Sequence, residues 1–236
     1  MHIIPFFSTI VTFIFMISVF LRYQKKHGVH LLLWTIGLLW YGIGTISEVI
    51  LGLTYNGLIL KFWYLAGAMM TAAWLGQGTI HLLIRKRGVA RNMTIILGIV
   101  SVLAAILIFS APFAANAPTY QISQAISSQY KEILTRNGLI IALTIVLNIY
   151  GTLALVGGAA YSAFIFWRKR VLFNRMIGNV MIATGALMPA MAGSFVNLGM
   201  ADVLYLSELV GVILMYSGFI KATSPAVSVP ASVAAD

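Results

Sequence analysis

The chain has no cysteine and very little charge, and each shortage closes off a class of function. With no cysteine among its 236 residues, it can form no disulfide, thiolate metal site, iron–sulfur cluster or thiol nucleophile. Only 8% of the residues are charged, where soluble domains carry roughly 25%, so a soluble globular domain is excluded. Motifs are scarce as well. There is no His-Glu-x-x-His, no Gly-x-Ser-x-Gly and no multi-aspartate metal motif. Gly76-Gln77-Gly78 is no phosphate loop, because no strand precedes it and no Lys-Ser/Thr follows.

Apolar residues dominate instead. Hydrophobic residues make up 61% of the chain, and its mean hydropathy is +0.97. A bilayer core about 30 Å thick takes about 20 apolar residues per helix. Runs suited to this fall at about 3–21, 31–53, 58–84, 93–113, 138–167, 176–198 and 203–221. The fold class predicted is an all-α integral membrane protein, a bundle of seven transmembrane helices forming one domain over residues 1–223. The N-terminus lacks a basic region and a small-residue cleavage site, so the first run reads as a retained helix. Residues 224–236, rich in Pro, Ser, Val and Ala, read as a disordered cytoplasmic tail.

The formal net charge of +10 has a definite arrangement. Arg22, Lys25 and Lys26 follow the first run. Arg85, Lys86, Arg87 and Arg91 follow the third, and Arg168, Lys169, Arg170 and Arg175 the fifth. Basic loops at every second connection are the positive-inside signature. They predict an N-terminus outside, a C-terminus inside, and residence in the inner (plasma) membrane. The excess sits where topology and anionic lipid account for it, so no nucleic-acid partner is expected. The expected partners are the lipid bilayer and either further copies of the chain or other membrane subunits.

Several local features follow. Thr54-Tyr55-Asn56-Gly57 forms a tight outer turn. Pro112 and Pro118 open a longer outer connection, in which Ile122, Ile126, Ile133 and Leu134 share one side of a helical wheel. That pattern predicts an amphipathic segment at about 120–135 lying on the outer membrane surface. Pro189 should kink the sixth span. Tyr55, Trp63, Tyr64, Tyr205, Tyr23 and Trp167 fall at interfacial depths, as an aromatic belt does. An offset of 148 positions places Arg22 on Arg170, Gly37 on Gly185 and Leu39 on Leu187. These are matches of character, and they leave a three-plus-one-plus-three arrangement of helices as an open option.

Polar side chains inside a bilayer face the bundle interior. By that rule the second span turns Tyr41, Thr45 and Glu48 inward, and the third Thr71, Gln77 and His81. The fifth contributes Thr144, Asn148 and Thr152, the sixth Asn197, and the last Tyr205 and Glu208. The fourth is nearly bare, which suits a peripheral lipid-facing helix. Glu48 and Glu208 each lie roughly 8–9 Å inside the outer helix ends at 1.5 Å per residue. An uncompensated carboxylate at that depth costs a few kcal/mol, so each needs a partner, a proton or a wet cavity. Lys61, one turn into the third span from the same side, is the expected partner. An outward-facing pocket of Glu48, Lys61 and Glu208, with Asn197 at its edge and Gln77 and Asn148 as further ligand-binding candidates, is the predicted site.

His30 and His81 open and close their spans on the inner side. Two histidines on antiparallel helices can ligate haem, although interfacial positions beside a basic loop account for both more simply. No catalytic residue, metal site or cofactor is predicted, and haem or pigment stays open. Lys221 lies at the inner end of the last helix, too far along for a retinal Schiff base. The Pro-Gln pairs of PQ-loop facilitators are missing from 21–24 and 167–170. Three functions fit these residues: a small-solute carrier or membrane-embedded binding protein, a non-catalytic subunit or receptor-like module of a larger membrane complex, and an intramembrane enzyme acting on lipid with a carboxylate as acid. The first accounts best for polar stripes on six helices converging at one depth.

Overall fold

The computed structural model of the chain describes residues 3–84, 86, 88–116, 118–169, 172–196 and 201–224, with side chains for all of these except 192–196 and 201–202. The described residues form eight helices: α1 (Ile3–Lys26), α2 (Val29–Leu51), α3 (Gly57–Leu83), α4 (Val89–Ser110), α5 (Ile126–Ile133), α6 (Gly138–Arg168), α7 (Phe173–Val196) and α8 (Ala201–Thr223). Among them there is no strand, only one antiparallel bridge between Phe113 and Leu134. Six helices are long and apolar enough to cross a membrane: α1, α2, α3, α4, α6 and the Val203–Thr223 part of α8. The protein is therefore read as a multi-pass membrane protein. The run expected at 176–198 corresponds to α7, which has 24 residues and Pro189 inside it but is not one of the six.

Local chemistry sets the helix ends. The Asn56 side chain accepts from the Leu58 and Ile59 amides at the start of α3, and Asn137 accepts from Ile140 at the start of α6. Both satisfy amide groups that a helix start leaves orphaned. Gly88, at φ 85°, turns the chain from α3 into α4 through a left-handed conformation that a side chain would disfavour. At their far ends α1 and α8 meet side by side. Ser18 and Tyr216 share a hydroxyl–hydroxyl bond of 3.0 Å, and the Arg22 guanidinium donates to the Thr223 carbonyl at 3.3 Å. The two helices therefore run parallel.

Helices in lipid gain little from apolar burial against one another, and close approach through small residues takes its place. α7 and α8 show this most clearly. Gly178 faces Gly218 and Gly185 faces Gly211, so near that a Cβ on any of the four would fall 2.5–2.6 Å from the opposing carbonyl oxygen. Gly151 of α6 lies so close to α3 that a Cβ would stand 2.2 Å from the Ala72 carbonyl carbon. The π stretches Tyr64–Met70 in α3 and Leu153–Gly157 in α6 lie beside this contact. A π turn spoils the regular hydrogen-bond ladder. The Thr71 hydroxyl takes up the Ala66 carbonyl at 2.9 Å, and the Asn148 amide takes up that of Ala68 at 2.6 Å.

Two apolar clusters result. One joins α3, α4, α5 and α6 through Trp63, Tyr64, Met69, Ile108, Ile126, Leu134 and Ile140. The other joins α1, α2 and α8 through Phe15, Val19, Leu38, Tyr41, Val212 and Phe219. α4 buries only Ala90, Leu97, Ala104 and Ile108 and exposes Ile95, Ile96, Ile99, Val102 and Ile106, the profile of a helix facing lipid.

The amphipathic segment expected at 120–135 departs from its sequence reading in two ways. The helix is shorter than 120–135, covering Ile126–Ile133. Its apolar side is also covered by protein rather than lipid: Ile126, Ile133 and Leu134 are buried in the first cluster. A periodicity shows that one side is apolar, but it does not say what lies against that side.

Candidate functional site

Between the two clusters lies a cavity of about 760 Å³, lined by side chains of α2, α3, α5, α6, α7 and α8. Glu48 and Glu208 both line it. Their positions follow from simple geometry. The α2–α3 hairpin turns between Tyr55 and Asn56, which mirrors Glu48 onto Trp63. The Trp63 indole N–H donates to Glu48 Oε1 at 2.9 Å. On the other side, the Tyr41 hydroxyl, two helical turns before Glu48, donates to the Glu208 carbonyl at 3.0 Å and ties α2 to α8. The two carboxyl groups thus stand at the wall of the same cavity. Glu48 is only 4% exposed. The Oε2 atoms of both glutamates are buried without a hydrogen-bond partner. Acceptors with strong unmet demand therefore stand at the wall of a large cavity.

The cavity wall also carries amide and hydroxyl groups. Asn148 lines the cavity while its amide holds Ala68 and Thr144 carbonyls at 2.6 and 2.8 Å. Asn148 thus fixes the wall at the π stretch. Thr45, Thr71, Thr144 and Thr152 also line the cavity. Their side chains are short hydroxyls that can donate or accept.

α5 forms the roof, with Ser127, Tyr130 and Lys131 on the cavity side. Tyr130 packs against Trp63 and Tyr64 at centroid distances of 5.2 and 5.6 Å, and the Arg136 guanidinium lies 4.8 Å over its ring. Burial pushes the Tyr130 hydroxyl above its usual range, and Arg136 pulls partly against this. The Tyr120 hydroxyl donates to the Leu51 carbonyl at 2.9 Å, and its ring packs on Tyr55 at 5.0 Å. Burial, with Tyr55 adding to it, raises the Tyr120 pKa to about 12. The roof is thus fastened to the end of α2.

The predicted site residues separate into groups. Glu48, Glu208 and Asn148 come together around the cavity. Lys61 does not join them, which corrects the expected ion pair. Its ammonium donates to the Phe109 carbonyl at 2.8 Å and sits 4.8 Å over the Phe113 ring, so it caps the end of α4. Lys61 and Trp63 are two residues apart and point to different sides of α3, and depth alone did not reveal the side. Asn197 lies outside the described residues.

Gln77 belongs to a separate network. It is fully buried, its amide donates to the Ala90 carbonyl at 2.9 Å and the Thr94 hydroxyl at 2.8 Å, and its carbonyl accepts from the Tyr150 hydroxyl. His81 contacts the same Thr94 hydroxyl at 2.8 Å. His30 meets Trp34 edge-on at 5.6 Å. Among the described residues no three histidine, aspartate or glutamate side chains group as metal ligands do.

Sequence reasoning missed Trp63 and Tyr130, which it assigned to an interfacial belt or left unremarked. The mirror position of Glu48 across the hairpin turn was the available signal for Trp63. Chemically, the arrangement holds two carboxyl groups, aromatic rings and an amide around one space. That set can bind a cation or exchange a proton for one. No known protein family matches the chain, and neither a curated protein nor a solved structure is similar to it.

Proposed function

We propose that the protein is a seven-span carrier or membrane-embedded binding protein for a small solute, and that Glu48 and Glu208 form its binding pair. The observation that carries this is the cavity of about 760 Å³ with two buried carboxyl oxygens unpartnered at its wall. Small-molecule sites commonly occupy about 300–1,000 Å³ and place a few polar groups in a mostly apolar lining. Intramembrane carboxyls that a fold does not neutralise mark solute or proton pathways.

Seven crossings are supported by the parallel contact of α1 with α8 through Arg22 and Thr223. A first and a last helix running the same way need an odd number of crossings, which six apolar spans reach when α7 is counted. The basic clusters at alternate connections then favour an outer N-terminus, a cytoplasmic C-terminus and a plasma-membrane location. In that orientation the cavity lies in the outer half, beneath α5.

The test has two stages. Mass spectrometry of what co-purifies with the wild-type protein identifies the solute, and uptake of that solute is then measured in proteoliposomes. Replacing both Glu48 and Glu208 by glutamine abolishes uptake on this reading, and unchanged uptake in the double variant overturns it. Stoichiometric co-purification of another membrane subunit, with no bound solute, would instead assign the chain to a larger complex.

A further inference from the structure

We propose that the cavity takes an amphiphilic cation, an amine carrying an apolar chain, which reaches Glu48 and Glu208 sideways from the bilayer between the outer half of α6 and α7. This rests on reading the cavity as a solute site and adds its ligand class and its route.

The charge of the ligand follows from the acid pair. Two carboxyl groups lining one buried cavity disfavour a second negative charge there. Their two buried Oε2 atoms lack partners, and Glu48 Oε1 is already held by Trp63. An ammonium group supplies one positive charge and several N–H donors in a small volume. A bare metal ion is served badly, since such ions take many more oxygen ligands than a carboxyl pair provides.

The apolar chain follows from the rim. Ile149, Leu153, Leu187 and Met191 line the cavity, and the same four residues are 55%, 69%, 39% and 52% exposed. Side chains that face both the cavity and the outside mark an opening. Leu153 lies midway along α6, so this opening meets hydrocarbon rather than headgroups. Among the described residues, Gly158–Arg168 of α6 packs along α7, while Gly138–Thr152 scarcely touches it. The two helices part at the π stretch Leu153–Gly157. From the outer surface, the way in is covered by α5, which Tyr120 and Tyr130 hold down. A ligand already dissolved in the outer leaflet meets no such roof.

The experiment uses the full chain in phosphatidylcholine nanodiscs, with empty nanodiscs as the partition control. Binding of dodecylammonium, ethylammonium and dodecanol is measured calorimetrically. Dodecylammonium is expected to bind at least about tenfold more tightly than either of the others. Glu48→Gln with Glu208→Gln should weaken it by about tenfold or more, the scale of a lost charge-assisted bond. Leu153→Trp and Met191→Trp add apolar bulk on a surface that lipid already covers, so folding is retained. Each should slow dodecylammonium association several-fold and leave ethylammonium unchanged. Dodecanol binding as tightly as dodecylammonium overturns the cation. Ethylammonium binding as tightly, with both tryptophan variants inert, overturns the lateral route. Failure of every amine overturns the ligand class, while uptake of the co-purifying solute judges the carrier reading separately.

Discussion

Gln77, in the part of α3 that follows its π stretch, and Glu48, near the C-terminal end of α2, are both buried polar side chains in an apolar bundle. Their surroundings differ in one respect. Both donors and the acceptor of Gln77 are engaged, by Ala90, Thr94 and Tyr150, and it is not among the cavity-lining residues. Glu48 has one oxygen held by Trp63 and the other buried without a partner beside a large cavity. The first arrangement leaves nothing for a ligand to do and spends its bonds on joining α3, α4 and α6. The second leaves demand for a donor that the fold does not supply. Polarity inside a membrane protein is therefore a poor guide to function until its partners have been counted.

The contrast can be broken by substitution. Gln77→Leu has the largest expected effect on stability, about 2 kcal/mol lost by thermal or denaturant unfolding in detergent, because it removes three hydrogen bonds that each contribute modestly in membranes. Ligand binding should survive it, and a Gln77→Leu protein that unfolds normally but binds nothing would erase the distinction. Asn148→Ala comes next, at about 1 kcal/mol, since it frees the Ala68 carbonyl at the π stretch. It should also weaken binding, as Asn148 belongs to both the wall and the cavity. Glu48→Gln should leave stability within about 0.5 kcal/mol or raise it, because it removes a buried acid, while binding weakens several-fold. A large destabilisation in Glu48→Gln would place this residue with Gln77.

The smallest effect concerns the roof. Tyr120 has its pKa raised by burial from 10.0 to about 12. The sign follows from which form burial favours. Below pH 10 both packed and released Tyr120 are neutral and the roof keeps its full attachment. Between 10 and about 12 the released form ionises first, so attachment is lost as pH rises through that interval. Hydrogen exchange of residues 118–130 should accelerate there, and Tyr120→Phe should remove the step. A step persisting in that variant would locate the titration elsewhere.

Much of this architecture was legible before any coordinates. Runs of apolar residues located the membrane-crossing helices because lipid permits few alternatives, and a common depth brought Glu48 and Glu208 to one level. Depth was also where inference stopped. It could not separate Lys61 from Trp63, because the side of a helix that faces a neighbour depends on packing. Nor could it show that Ile126 and Leu134 lie under protein, because lipid and a protein core are equally apolar to a hydrophobic side chain. The cavity was illegible for a related reason: it exists where α6 and α7 fail to touch, and a sequence records contacts more readily than gaps.

The facing glycines of α7 and α8 have a mechanical consequence. Fastened at Gly178–Gly218 and again at Gly185–Gly211, the two helices behave as a single strut, with Pro189 packed on Gly211. Glu208 is mounted on that strut and Glu48 on α2, and the Tyr41 hydroxyl is the latch between them. Glu208 therefore shares its mounting with α7 as well as α8, through four residues that have no side chain.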